Sequence, residues 1–307
     1  MAKGTTGAPA GPAVIAAPGT CPMGAAAVTW TEARTALAEA AGLVPALFAR
    51  VPDPAAHAVG EWNIAELAAH MTHGWAVMPN LARRDVPAMR AALPATPDLA
   101  IGTPAGSMLA SLDLLKVATV AAVKADPERD LGALADRVRA GVKAFCVDFD
   151  GDADPGFRPW VAEPITAPPP LFACHTLFET LMHSYDIGKA AGVPYRIADR
   201  HAEVVLRGFI LPMLVNLTRG VPGPELAIDM RLAGSARITI VYTGNGVALE
   251  PPSGRRVDSH LWIKPSALLL LMWGRRSLPM VVARGESVVW GRRPWTALAP
   301  LKAVPEV

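Results

Sequence analysis

The sequence predicts a helical bundle followed by a small α+β domain. Apolar residues recur at helical spacing across residues 29–216, a Gly- and Pro-rich segment follows at residues 220–224, and short β-type runs with Gly-containing turns come after it. With 307 residues, 51% of them hydrophobic, the chain is long enough to bury a core in each part. We therefore expect a disordered arm at residues 1–27, a metal-binding helical bundle at residues 28–220 and an α+β domain at residues 221–307.

Composition excludes several classes of protein. The formal net charge is +2 and no Lys/Arg run is interleaved with aromatics, so no nucleic-acid partner is expected. The longest apolar stretch of the arm, residues 13–17, is too short for a signal peptide. The aliphatic run at residues 267–273 is far below the roughly 20 residues of a membrane span. A soluble protein with small-molecule partners is expected.

Cysteine usage indicates a reducing compartment. Cys21, Cys146 and Cys174 lie far apart without a CxxC spacing. This arrangement excludes a disulfide framework and a cysteine-based zinc ribbon. We expect a cytoplasmic protein.

The first two helices are predicted from their N-caps. Residues 29–32 (TWTE) resemble a capping box, and an Ala/Leu-rich helix should continue to about residue 50. Residues 51–60 contain two prolines and should form a loop. Residues 63–66 (NIAE) offer a second capping box, which predicts a helix over residues 64–84.

Prolines interrupt the predicted helices in the middle of the chain. A Pro-containing connection at residues 86–104 leads to helical patterns at residues 106–124 and 128–149. Pro127 interrupts these patterns, which leaves two helices and one bent helix as alternatives. Residues 148–170 form a loop long enough to cross between non-adjacent helices.

Two more helices precede the predicted sheet. One should run from Leu171 to Gly192, with Pro194 shortly after it, and the next over residues 198–217. Beyond them we expect strands at residues 226–232, 236–242, 246–250 and 259–264, a short helix at 265–273, and edge strands or loops at 280–282 and 287–290.

The helix from Leu171 carries metal-competent side chains at four-residue intervals, His175, Glu179 and His183. Each helical residue advances about 100°, so the three stay on one side of the helix. Residues four apart are separated by about 6 Å of rise and residues eight apart by about 12 Å, too far for one tetrahedral ion. The pair is therefore either His175 with Glu179 or Glu179 with His183.

Further ligands must come from another helix. His70 flanks the apolar face of the helix over residues 64–84, whereas His73 should point nearly opposite. A catalytic zinc usually takes three protein ligands and keeps an open position, a count that His70, Glu179 and His183 would satisfy. The spacing alone is weakly specific, and a polar helix edge with unconnected histidines is the alternative.

Two motifs resemble a known family. Residues 62–70 (WNIAELAAH) resemble the W-[ST]-x-x-x-L-x-x-H signature of the DinB-like, mycothiol-dependent maleylpyruvate isomerase family. Residues 179–192 (ETLMHSYDIGKAAG) are similar to its E-x-x-x-H-x-W-D-x-x-x-A-x-G segment. Residues 268–275 and 284–290 resemble the small sterol-carrier-protein-like domain often fused to these bundles. The resemblance spans about residues 29–300.

The sequence departs from the family pattern at three places. Asn63 stands where the family has Ser or Thr, and Tyr185 stands where Trp is common. The Pro-rich segment at residues 86–104 is longer than usual and affects the expected pocket mouth.

The resemblance implies a DinB-like four-helix bundle in which His70, Glu179 and His183 bind a metal, most often zinc. His175, one turn away, would be a pocket or structural residue. The implied cosubstrate is mycothiol, whose thiolate adds to a small electrophile in a transferase or isomerase reaction. No cysteine occupies a motif position, so the thiol must be external.

Two further residues are candidates for the catalytic site. Asp186, one turn beyond His183, is placed to orient a ligand side chain, or else is a solvated carboxylate near the helix end. Arg275 is placed to hold a carboxylate of substrate or thiol if the C-terminal domain covers the bundle mouth, or else is a surface arginine. The competing functions are a hydrolase or lyase that uses metal-bound water without a thiol, and a non-catalytic protein that binds a small apolar ligand through the run at residues 267–273.

Overall fold

A computed structural model describes residues 28–92, 108–159, 166–217, 225–235, 237–244 and 246–298. The predicted arm at residues 1–27 and the predicted domain boundary after residue 220 lie outside these ranges. The predicted combination of helices with a β-sheet is confirmed. The more specific DinB-like and sterol-carrier-protein-like assignments stay predictions.

Helices dominate the described residues as far as residue 217. They are α1 (Trp30–Gly42), α2 (Val44–Phe48), α3 (Ile64–Ala82), α4 (Val86–Ala91), α5 (Met108–Ala125), α6 (Leu131–Val142), α7 (Pro169–Ala190), α8 (Asp199–Val205) and α9 (Leu211–Leu217). A π-helical turn follows α6, and another joins α8 to α9. Two small antiparallel pairs interrupt the helices: β1 (His57–Val59) with β2 (Trp62–Asn63), and β3 (Arg158–Pro159) with β4 (Thr166–Ala167).

The first helix is shorter than predicted. The Thr29 hydroxyl accepts a hydrogen bond from the Glu32 N–H at 3.1 Å, which confirms the N-cap. The Glu32 carboxylate, however, accepts from Arg207 at 2.9 Å. The prediction of a single helix to residue 50 is wrong, because α1 ends at Gly42 and a second helix, α2, follows. Pro45 lies in the first turn of α2 and has no N–H to donate a hydrogen bond to the preceding helix.

Helix α3 begins at the predicted capping box. The Asn63 side chain accepts from the Glu66 N–H at 2.9 Å, and the Glu66 carboxylate accepts from the Asn63 N–H at 3.0 Å. The preceding segment, predicted as a loop over residues 51–60, in fact contains β1. The hairpin of β1 and β2 leads directly into α3 and so fixes where that helix starts.

The structure resolves the alternative around Pro127 in favour of two helices, since residues 126–130 are not helical between α5 and α6. Part of the Pro-rich connection forms α4, and its remaining residues, 93–104, lie outside the described ranges. The predicted crossover over residues 148–170 carries β3 and β4, and α7 starts within it at Pro169.

Helix α7 is central to the packing. It lies against α1 on one side and α3 on the other, and α3 also packs against α6 and α5. Trp30, Leu67, Trp75 and Phe172 are almost completely buried between these helices. Gly141 of α6 lets α3 approach closely, because a Cβ at that position would lie 2.9 Å from Cβ of Trp75.

The C-terminal part forms a five-stranded sheet with helices on one face. Its strands, in the order β7-β6-β5-β8-β9 across the sheet, are β5 (Leu226–Leu232), β6 (Arg237–Thr243), β7 (Gly246–Glu250), β8 (Ser259–Ile263) and β9 (Ser287–Gly291). Only the β5–β8 pair of this sheet is parallel. Helices α10 (Pro265–Met272) and α11 (Leu278–Ala283) connect β8 to β9. The expectation of a strand or loop at residues 280–282 is therefore wrong, whereas the edge strand at residues 287–290 is confirmed.

Contacts between α10 and α8 hold the sheet domain against the helices. The turn after α10 thereby reaches α7. No helix among the described residues combines the length and the apolar character that crossing a membrane requires.

Candidate functional site

Helices α3 and α7 bring together the three side chains predicted to bind metal. One ligand atom from each of His70, Glu179 and His183 lies within 4.8 Å of the other two. Oε2 of Glu179 is shared between them, at 3.4 Å from Nε2 of His70 and 2.9 Å from Nε2 of His183. The cluster joins residues 109 positions apart in sequence.

Packing holds the two histidine rings in place. The His70 ring lies 4.9 Å from the Trp62 ring and meets the His183 ring edge-on at 4.8 Å. The side chains of His70, Glu179 and His183 are 18%, 29% and 14% exposed. The cluster is thus shielded from bulk water but still open to a small molecule.

The charges of the cluster fit a bound cation. Burial raises the pKa of Glu179, but hydrogen bonds from His175, His183 and His70 outweigh it and hold the pKa well below its usual range. Burial lowers the pKa of His183, but Asp186 and Glu179 outweigh it and raise the pKa to about 9. Burial lowers the pKa of His70. The raised pKa of His183 thus favours a positive charge that compensates the Glu179 carboxylate.

A divalent metal would take over that compensating charge. Two imidazole nitrogens and one carboxylate oxygen form a typical donor set for catalytic zinc, with a position left for another ligand. The residues present therefore fit a zinc ion, and the assignment of the three ligands stays a prediction.

His175 lies beside the cluster but outside the set of three. Its Nε2 is 3.5 Å from Oε1 of Glu179, the oxygen that does not face His70 and His183. Its ring is buried and packs 4.8 Å from the ring of Phe209. This arrangement suits a residue that orients the Glu179 carboxylate.

The expectation that His73 points away from the site is wrong. Its Nε2 lies 3.0 Å from Oδ2 of Asp126, and its side chain lines the same cavity as His70. Asp126 directly follows α5, which covers that side of α3. The His73–Asp126 pair had no sequence signal apart from the three-residue spacing of His73 from His70, since Asp126 lies 53 residues away.

Asp186 and Arg275 face each other. Nε and Nη2 of Arg275 donate to the two oxygens of Asp186 at 3.1 and 2.8 Å, and Nη1 donates to the Trp273 carbonyl at 2.9 Å. Oδ2 of Asp186 lies 3.8 Å from Nδ1 of His183, which is close enough for an ion pair but too long for a hydrogen bond. Burial raises the pKa of Asp186, but His183 and Arg275 outweigh it and lower the pKa. The predicted roles of both residues stay predictions.

A cavity of about 350 Å³ adjoins the cluster. It lies between α3, α5, α7 and the turn after α10, and the three cluster residues and Arg275 form part of its wall. Most of the remaining wall is apolar, including Trp75, Met78, Phe178, Met182 and Trp273. Its volume is within the range of small-molecule sites.

The cysteines within the described residues are unsuited to nucleophilic attack. Cys146 and Cys174 are both buried. Burial raises the pKa of both thiols, to about 12 for Cys146, so neither supplies a thiolate at neutral pH. Cys21 lies outside the described residues.

Comparisons with known proteins found no matching family model and no matching curated protein. Among solved structures, the chain is similar to the crystal structure of the mycothiol-dependent maleylpyruvate isomerase, with 18% identity, a TM-score of 0.45, and coverage of 80% of this chain and 90% of that one. It is also similar to the structure of an alanine variant of that isomerase, with 17% identity, a TM-score of 0.44, and coverage of 80% and 89%. The chain is thus distantly similar to these isomerase structures.

Proposed function

We propose that this protein is a zinc-dependent enzyme that uses a low-molecular-weight thiol, such as mycothiol, to attack a small electrophile. The observation that carries the proposal is the convergence of His70, Glu179 and His183 on the wall of a cavity of about 350 Å³. The motifs at residues 62–70 and 179–192, which resemble the mycothiol-dependent family, support the same three ligands.

His70, Glu179 and His183 would bind the ion and leave one position for the thiol. A zinc ion held there lowers the pKa of a coordinated thiol, so that a thiolate is available at neutral pH. The buried thiols of Cys146 and Cys174 do not compete as nucleophiles. If the thioether is the product, the enzyme is a transferase; if the thiol leaves again after rotation about a former double bond, it is an isomerase.

The surrounding residues would orient the ligands. Asp186 lies 3.8 Å from Nδ1 of His183, so with a small shift of either side chain that nitrogen would donate to the carboxylate and Nε2 would be left to bind a metal. Arg275 holds Asp186 through two hydrogen bonds. His175 lies near the far oxygen of Glu179 and leaves Oε2 for the ion.

Within the described residues, the hollow between the sheet and α10 does not support the competing function of ligand binding in the C-terminal domain. The hollow between the sheet and α10, lined by residues that include Met230, Ile240 and Leu268, has a volume of about 20 Å³. That space holds about one water molecule.

Metal analysis and thiol-dependent turnover test the proposal. We expect about one zinc per chain in the wild type and at least a ~10-fold loss of occupancy in His70→Ala. His57→Ala is the matched control, since His57 is exposed in β1 and bonds only to the Gly60 carbonyl within the described residues. Unchanged occupancy in His70→Ala would reject the ligand assignment.

Turnover is measured with mycothiol, with other thiols and with none. Turnover that requires a thiol and is lost on metal removal supports the proposal. Equal turnover without any thiol points to the hydrolase or lyase alternative and overturns the thiol's role.

A further inference from the structure

We infer that the electrophile is an uncharged, largely apolar compound, and that a substrate carrying a carboxylate on the part that enters the cavity is rejected. This inference rests on the proposed function, because it names the substrate class of that site. It depends on the chemistry of the cavity wall beyond the three metal-ligating side chains.

The apolar wall extends well beyond the cluster. Lining residues on α3 run from His70 to Leu81, a span of about 16 Å along the helix. Beyond His70 the wall includes Trp75 and Met78, and α7 contributes Met182. Trp75, Met78, Leu81 and Met182 are each at most 5% exposed. A ligand that fills this space exchanges water for apolar side chains.

Three polar residues of this wall are already bonded to protein, namely Thr176, Thr180 and His73. The Thr180 hydroxyl donates to the Thr176 carbonyl at 2.7 Å, and the Thr176 hydroxyl donates to the carbonyl one turn earlier at 2.9 Å. His73 is bonded to Asp126. These three groups therefore offer no donor to a substrate carboxylate. The indole Nε1–H of Trp75 has no partner among the described residues, but it is neutral and is itself buried.

The cationic side chains that line the cavity are not placed to bind a substrate carboxylate either. Among the described residues that line the cavity, the cations other than histidine are Lys116 and Arg275. Arg275 directs two hydrogen bonds at Asp186, which neutralises its charge. Lys116 lies on the exposed side of α5 and not among the buried residues of the wall. A carboxylate in the apolar part of the cavity would lose its water without gaining an oppositely charged partner there.

The thiol cosubstrate does not explain why a large part of the cavity wall is apolar. A sugar-bearing thiol such as mycothiol carries many hydroxyl groups, which need hydrogen-bond partners when they leave water. The wall around Trp75, Met78 and Leu81 is apolar, so it suits the electrophile rather than the body of the thiol.

Two enones with the same reactive carbon test the inference. They are 4-phenylbut-3-en-2-one and its analogue with a carboxylate at the para position of the ring. In both, the sulfur forms a bond to the β-carbon, the double-bond electrons move to give an enolate, and the enolate takes up the proton that the thiol released. We expect kcat/KM, corrected for the uncatalysed reaction, to be at least ~100-fold higher for the neutral enone. Equal or faster turnover of the carboxylate would overturn the inference.

Binding separates the inference from the proposed function. The saturated ketones of the same pair, which cannot react, are titrated by calorimetry into the metal-loaded and metal-free protein. We expect the neutral ketone to bind at least ~10-fold more tightly in both forms. If the neutral ketone binds more tightly but no enone is turned over, the inference stands and the proposed function fails. If the carboxylated ketone binds as well as the neutral one, the inference fails.

A charge placed in the wall should reverse the preference. Val77 lines the cavity from α3 and is half-buried, so a lysine there can be accommodated. Val77→Lys should tighten binding of the carboxylated ketone by at least ~10-fold, whereas the uncharged control Val77→Met should not. No gain in Val77→Lys, with the protein folded, would show that the carboxylate does not reach this wall and would count against the inference.

Discussion

The ion pair between Asp186 and Arg275 should link the C-terminal domain energetically to α7. Asp186 belongs to α7 and is 5% exposed, whereas Arg275 lies in the turn after α10 with a side chain 22% exposed. The two hydrogen bonds are parallel and charge-assisted, a geometry that exposed pairs rarely maintain.

The expected coupling energy between Asp186 and Arg275 follows from the distance between their charges and from their burial. Two unit charges about 4 Å apart interact by about 4 kcal/mol at an effective dielectric constant of about 20. Desolvation of the partly exposed guanidinium offsets part of this energy, so we expect a coupling of about 2 to 3 kcal/mol. Arg275→Met should cost about 3 kcal/mol, because it leaves the buried Asp186 carboxylate without its two hydrogen bonds, whereas Asp186→Asn should cost less, because the Arg275 guanidinium is partly exposed.

A double-mutant cycle measures the coupling. Arg275→Met, Asp186→Asn and the double variant are unfolded with denaturant at pH 7 in metal-free buffer, and the non-additive part of the free energy of unfolding is extracted. The pair Arg200–Glu39, with side chains 71% and 47% exposed, is the matched control. It should couple much more weakly than Asp186–Arg275, because water and salt screen exposed charges. A coupling below about 0.5 kcal/mol for Asp186–Arg275 would refute the reasoning.

Two further predictions concern α3 and its surroundings. Asp126 has a pKa of about 2, because Arg137, the Glu128 N–H and His73 outweigh the effect of burial. Because the pKa of Asp126 is lower in the folded than in the unfolded protein, the ionised carboxylate stabilises the folded state by about 2 kcal/mol. This stabilisation is complete above about pH 5, falls to about half by pH 3, and is lost as the pH falls through 2. Denaturant unfolding of wild type and Asp126→Asn across this range should show the difference shrink as pH falls, and a constant difference would contradict it. Asn63→Ala should lower the free energy of unfolding by about 1 kcal/mol because the N-cap is lost, whereas Asn63→Ser should nearly preserve that free energy. Equal losses of stability in the two variants would argue against the cap.

The site was predictable in its composition but not in its arrangement. Helical spacing limited the choice to His175 with Glu179 or Glu179 with His183, and the family resemblance favoured the second pair. The three-atom cluster contains Glu179 and His183, with His175 beside the other carboxylate oxygen. The angular argument that placed His73 away from the site failed because α3 is covered on more than one side, by α7 and by α5.

Local signals account for the elements that the sequence alone determined. Three kinds of signal act within a few residues and can be read without a partner. They are the capping pair Asn63 and Glu66, the helix stop at Gly192 with its positive φ, and the short β-type runs of β5 to β8. The same local reading missed the break at Gly42 and assigned residues 280–282 to an edge strand or a loop, since short apolar runs do not separate helix from strand.

The tertiary structure alone decided which distant groups meet. It placed His70 beside Glu179, Asp126 beside His73, and Arg275 beside Asp186. These pairs are 109, 53 and 89 residues apart, and they depend on which helix faces overlap after packing. Local periodicity states which face of a helix is apolar, but it does not state which other helix covers that face.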